Sequence, residues 1–405
     1  MVDPADASGF RLGRFALFEY GFRPFFLLAG VWALVMAPLW LYLISHGSAA
    51  FGALPTMYWH AHEMLYGFVM AAVAGFMLTA VPSWTGARGF RGTPLVVLVG
   101  LWLSGRVAMV FAISSAVSVP SWVIAAATLS FLPALVALLI PPVLRSLNRN
   151  MPLLAVLGLL WLIDGAFMWA FIRGDTGLAA RALTLAIDCV LILVTVIGGR
   201  IVPAFTGNAL RRRGEEPRIT HRAWVEAAVM ASMIAIAIVD VFPVQLRVGG
   251  FLAALAALMH AIRLAGWRSF KTGGESILWI LHVGYAWLPI GLALKACWLL
   301  AGAGFASKWQ HALTMGVFGT MILAVMTRAS LGHTGRPLAV SRATTCAYLL
   351  LTAGVTARVF GGAVVLNHYT TTLTLAGSAW SLSFLLYLMV YAPILIGSRA
   401  DGKPG

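Results

Sequence analysis

The residues best suited to chemistry lie in Trp59-His60-Ala61-His62-Glu63-Met64, which opens an apolar run reaching Val81. Imidazole is the commonest metal ligand. Ionisable groups beside hydrocarbon are costly enough to need a partner or a task. His60 and His62 are two residues apart, which on an α-helix turns them ~200° about the axis. A regular helix cannot offer both to one metal, so each would serve a different centre on a different face. His311, just before Ala312, opens another apolar run in the same way. The plainer reading is interfacial histidines bonded to water and loop carbonyls.

The elements that carry these residues follow from composition. Of 405 residues, 61% are apolar and 10% charged, which no ordinary soluble domain matches. Apolar runs recur along the chain, each near the ~20 residues that cross ~30 Å of hydrocarbon. They predict an all-α membrane protein with twelve spans, at 24–44, 57–82, 93–116, 121–144, 151–172, 179–202, 222–241, 248–266, 276–302, 309–328, 342–363 and 371–396. Short links make 24–398 one transmembrane domain. Residues 1–23 are polar, without the apolar core of a leader, and read as a cytoplasmic segment; 399–405 read as a cytoplasmic tail. Cys189, Cys297 and Cys346 fall inside spans and form no C-x-x-C motif.

The net charge of +15 is laid out by topology. Lys and Arg crowd into alternate loops, most densely in the 6–7 link with Arg200, Arg211, Arg212, Arg213, Arg218 and Arg222. The opposite loops hold only Arg173, Arg181, Arg247 and Lys308. The positive-inside rule then places both termini in the cytoplasm. The basic loops face anionic lipid head groups, and no aromatic-interleaved groove suggests nucleic acid. His46, His60, His62, His311 and His368 fall at the outer side. His221, His260, His282 and His333 fall at the inner side. His282 lies ~30 Å from the outer end of span nine, out of reach of His60 and His311 unless the helix breaks near Pro289.

A repeat follows the same layout. Val81-Pro82-Ser83-Trp84-Thr85-Gly86, Val202-Pro203-Ala204-Phe205-Thr206-Gly207 and Gly332-His333-Thr334-Gly335-Arg336-Pro337 place Thr-Gly after every fourth helix. This implies three arcs of four helices, with spans two, six and ten equivalent and the working site where repeats meet. Small residues at Gly67, Ala71, Gly75 and Thr79, and at Gly316, Thr320 and Ala324, admit either close helix packing or a flat macrocycle. Histidines at matching depth on two facing helices are what a haem would need. Deeper charges should be paired: Arg106 with Asp164 or Asp188, while Lys295 and Arg358 are placed to hold haem propionates. Gly198-Gly199-Arg200 either bends span six or presents Arg200 to an anionic group. Tyr66 stands where an H-E-x-x-H protease motif needs its second histidine.

Several stretches resemble the NnrS family of bacterial inner-membrane proteins. They are Gly21-Phe22-Arg23-Pro24-Phe25-Phe26, the segment from Trp59 to Met64 with Gly67-Phe68, and Gly75-Phe76 through Ala80-Val81-Pro82 to Trp84-Thr85-Gly86. Others are Gly199-Arg200 with Pro203, His282 with Gly284-Tyr285, His311-Ala312-Leu313-Thr314, and Met326-Thr327-Arg328 with Gly332 to Pro337. The resemblance covers almost the whole chain. It implies a twelve-helix protein carrying haem and copper, linked to denitrification and tolerance of nitric oxide. The layout is also similar to the catalytic subunit of haem–copper oxidases. Span six here lacks their copper-binding histidines, and span ten has only His311 where they carry a pair.

The resulting expectation is a protein holding haem b, with copper as a second metal, through His60, His62, His311 and His282, with His333 a further ligand. Glu63, Arg106, Asp164, Asp188, Arg200 and Arg328 form its charge network. Nitric oxide would be ligand or substrate, and in the second case the protein is an oxidoreductase. Two other readings are a quinol-linked electron carrier, with an inner centre near His282 and His260, and a transporter working through Arg106, Asp164 and Asp188.

Overall fold

A computed structural model describes residues 16–47, 51–114, 118–146, 150–242, 246–364 and 369–403. His368 lies outside them. Twelve helices are long and apolar enough to cross a membrane: α1 Phe22–His46, α2 Thr56–Thr85, α3 Thr93–Ala112, α4 Ser121–Arg145, α5 Met151–Arg173, α6 Thr176–Arg212, α7 Ala223–Val241, α8 Leu246–Ala265, α9 Ser276–Ala301, α10 Gly304–His333, α11 Arg342–Gly362 and α12 Tyr369–Ile396. Lipid offers the backbone no hydrogen bonds, so apolar segments of this length satisfy their own as helices. α9 runs through Pro289 without a break, which keeps His282 away from the opposite end of the bundle.

Neighbours in sequence pack together, and α12 closes the ring against α1. α2, α6, α9 and α10 are the most buried, with 72, 61, 67 and 67% of their most apolar stretches inside the bundle. Of these, α2, α6 and α10 meet with α1 and α5 at an apolar cavity of about 90 Å³, lined by Phe76, Val194 and Val325 among others. The repeat expects α2, α6 and α10 in equivalent places. Its local signature is visible too: the hydroxyls of Thr85, Thr206 and Thr334 donate to the carbonyls four residues back, of Val81, Val202 and Ser330, at 2.8, 2.9 and 2.6 Å. Gly86 and Gly335 then turn left-handed, at φ +68° and +71°, and end the helices. Gly207 does not. α6 continues to Arg212, although hydropathy alone predicts a loop from Arg200. Buried Thr206, Ala209 and Leu210 give the extension an inner face, and Arg213 pairs with Glu275 at 2.5 Å.

Contacts between links sort the two ends of the bundle. At one, Gly92 N–H donates to Phe18 O, Thr220 N–H to Gly266 O, and Ala400 N–H to Thr334 O. Arg23 also reaches Leu395 O at 2.8 Å. This end collects the basic loops and the described parts of both termini. Asp401, beyond the last span, pairs with Arg399 at 2.6 Å, and the guanidinium holds its carboxyl well below the usual carboxylate range. At the other end, Phe51 stacks on Phe171 and the Tyr58 hydroxyl donates to Thr176 O at 3.3 Å.

α2 and α10 are irregular in the same place. In α2 the α-helix Thr56–His62 passes into π-turns over Glu63–Val69. In α10 Trp309–His311 passes into π-turns over Ala312–Gly319. Each extra residue in a turn rotates the helix before it by about 100° against the helix beyond it. The carbonyls set askew in α2 are met by indoles: Trp32 Nε1 donates to Glu63 O at 3.3 Å and Trp102 Nε1 to Gly67 O at 3.2 Å. The glycines of the small-residue stripes serve close packing. A Cβ on Gly67 would run into Trp32, one on Gly75 would meet Phe26 at 2.7 Å, and one on Gly316 would meet Trp287 at 2.8 Å. Gly316→Ala should therefore lower stability by about 1–3 kcal/mol through overpacking. Gly100→Ala, with open space at that position, should be neutral or stabilising. Thermal unfolding of the two variants in one detergent checks the contrast.

Candidate functional site

At the end with few basic loops, a cavity of about 700 Å³ opens between α1, α2, α6, α10, α11 and α12. His60 and His311 both line it, each placed just ahead of or at the start of a π-segment. The His60 ring stacks on Trp40 at 4.5 Å and 9°, which fixes its plane. Its Nδ1 is buried and makes no hydrogen bond among the described residues. Lys308 and Arg358 also line the cavity, both over the Tyr369 ring at 5.3 and 5.8 Å. No carboxylate contributes to the wall among the described residues. The cavity therefore joins two imidazoles, two cations and apolar walls, an arrangement suited to a largely apolar ligand with anionic groups.

His62 points the other way, as the ~200° separation predicts. It is wholly buried, and both ring nitrogens are engaged: Nδ1 with Glu63 Oε1 at 3.0 Å and Nε2 with Asp164 Oδ1 at 2.9 Å. Arg106 reaches the same Glu63 oxygen at 2.5 Å. The four side chains form one buried hydrogen-bonded network across α2, α3 and α5. This corrects the expected pairing: Arg106 bonds Glu63, not Asp164 or Asp188. With both nitrogens used, His62 offers a metal no lone pair.

The remaining candidates are dispersed. Lys295 forms an ion pair with Asp240 and lies 4.9 Å from the Trp309 ring. Asp188 sits beside that pair. Lys295 does not line the histidine cavity; Lys308 does, although its place in the sequence marks it only as a loop cation. His282 is bonded through Nε2 to the Thr206 hydroxyl at 2.8 Å and through Nδ1 to the Ser269 hydroxyl at 2.9 Å. His260 bonds the Tyr285 hydroxyl at 2.8 Å through Nδ1, while its buried Nε2 makes no hydrogen bond. His333 packs on Phe22 at the basic end, remote from His311. Arg328 lies 3.8 Å over the Phe205 ring, and Arg200 donates to Asn150 Oδ1 at 2.6 Å.

The cavity fits a haem by its volume, its two imidazoles, the orphaned His60 nitrogen and its surplus of positive charge. Copper fits less well: among the described residues no three His, Cys, Asp or Glu side chains gather into a metal-binding group. The buried tetrad yields its own prediction. Arg106→Ala removes the cation that pairs with buried Glu63, and should cost about 3–5 kcal/mol. Arg106→Lys should recover part of the loss. Unfolding midpoints in detergent distinguish this from a surface pair, whose removal changes little.

A family model described as NnrS protein matches residues 16–399. No curated protein sequence matches the chain. The family match takes in every helix of the bundle, the histidine cavity and the buried tetrad, so the chain belongs to the NnrS family.

Proposed function

We propose that the histidine cavity holds haem b and is the place where this protein meets nitric oxide. Membership of the NnrS family supports a role in the nitric oxide response. The single observation that gives that role a site is the meeting of His60 and His311 in one cavity with Lys308 and Arg358. His60 and His311 are the imidazoles that would hold the iron, one or both, and Lys308 and Arg358 would neutralise the propionates. The iron would supply ligand binding and one-electron chemistry when bound.

The chain's own groups do the rest. Trp40 holds the His60 ring in plane, and the His62 tetrad fixes the turn of α2 that presents His60. Apolar walls at membrane depth admit a neutral diatomic dissolved in lipid. The setting is the bacterial cytoplasmic membrane, with the basic end and both termini inward. Nitric oxide would be the ligand or substrate that the cavity admits; copper has no assigned ligands.

The electron-carrier reading needs a ligand at His282, whose nitrogens are both hydrogen-bonded to hydroxyls. The transporter reading needs working charges at Arg106 and Asp164, which are held in the buried tetrad. Haem content per chain of haem-replete, detergent-purified protein separates these. Wild type should carry haem, His60→Ala and His311→Ala should lose it, and His282→Ala should keep it. Arg358→Ala should retain haem about tenfold more weakly, as expected for a lost charge-assisted hydrogen bond. Haem loss from His282→Ala alone would favour the electron carrier, and a haem-free wild type would overturn the proposal.

A further inference from the structure

A second cavity, of about 980 Å³, lies at the opposite, basic end, between α6, α7, α8 and the link after α6. Its wall carries Arg200, Arg211, Arg218 and Arg263 against Glu216 and Glu226. Four guanidiniums against two carboxylates leave a surplus of two positive charges. Topology alone explains basic residues in loops facing water. It does not explain Arg263, which sits inside α8 with 7% of its surface exposed.

Arg263 is built in. Its guanidinium crosses α6 at Gly199, where a Cβ would stand 2.6 Å from Nη1. It donates to Thr195 O at 2.8 Å, to the Tyr285 hydroxyl at 2.9 Å and to both Glu226 oxygens. Gly199 thus neither simply bends span six nor only positions Arg200: it makes room for a fixed arginine in the cavity wall. At the mouth the contacts are weak. Arg218 pairs with Glu216 at 2.9 Å with both side chains more than 70% exposed, and such pairs contribute little. Among the described residues Arg211 donates only to the neutral amide of Asn208, at 2.9 Å. Arg218 also holds a left-handed backbone, φ +37°, a conformation that costs energy and concentrates at working sites.

We propose that this cavity binds a phosphate-bearing anion of charge near −2, with Arg263 as a fixed wall and Arg211 and Arg218 as exchangeable clamps. Arginine's planar fork suits phosphate oxygens. The volume is at the upper end for small-ligand pockets, ~300–1,000 Å³. Two sources supply this chemistry: a soluble phosphate compound, or a two-phosphate lipid head group of the kind that basic pockets between helices take. The proposal is independent of any haem at the other end.

The test uses the full chain in two arms. In detergent, pyrophosphate binding is titrated at fixed ionic strength. In phosphatidylcholine nanodiscs, retention of added cardiolipin is read by native mass spectrometry. Wild type should bind in one arm, and that arm names the source. Arg211→Gln with Arg218→Gln, both at exposed positions, should weaken that binding about tenfold or more with the unfolding midpoint unchanged. The proposal is overturned if neither anion binds, or if the double variant binds as wild type does.

Discussion

Four ionisable side chains meet, buried, where α2, α3 and α5 touch, and much of the architecture follows from keeping them paired. Glu63 and Asp164 hold the His62 ring between them, and Arg106 closes the set on Glu63. A lone ion there would face a desolvation cost of several kcal/mol. The tetrad avoids it only if every member keeps its place, so three helices are locked in register. The lock falls on the residue where α2 leaves α-helical geometry, and the tryptophans of α1 and α3 accept the consequence by capping the displaced carbonyls.

With His62 committed inward to the tetrad, His60 is left on the other face of the same turn. There it meets His311, delivered by the matching irregularity in α10. The division of labour is electrostatic. Acidic groups gather around His62, whereas the cavity at His60 has Lys308 and Arg358 and no acid among the described residues. One histidine is therefore tied into the buried network, and the other keeps a nitrogen free of hydrogen bonds among the described residues. The bundle is also polarised along its axis. The histidine cavity is apolar with two cations in its wall, and the arginine-lined cavity opens among the basic loops about the far ends of α6, α7 and α8.

Much of this was legible in the sequence. Hydropathy located twelve spans, and Thr-Gly spacing identified α2, α6 and α10 as equivalent, since both depend on local composition and period. The opposed directions of His60 and His62 followed from helical geometry. The partner of Arg106 did not. Glu63 read as part of an interfacial cluster, and nothing local reveals that a π-turn buries it. Depth favoured Lys295 over the loop residue Lys308, and only packing shows that Asp240 takes the first while the second lines the cavity. Gly67 and Gly316 were ambiguous because a small residue marks a close approach without saying what approaches; here it is tryptophan. The last turns of α6 were missed because they are held by inter-loop ion pairs and a narrow buried face, which a hydropathy window averages away.

The most direct test of the central claim is chemical rescue at the histidine cavity. His60→Gly protein, purified without haem, would be titrated with haem in the absence and presence of imidazole and followed by its Soret absorbance. Free imidazole filling the space left by the ring should restore the wild-type band shape in His60→Gly and leave His282→Gly, already wild-type in shape, unchanged. A wild-type spectrum in the His60→Gly, His311→Gly double variant without added imidazole would contradict the assignment, because the haem would then be held elsewhere.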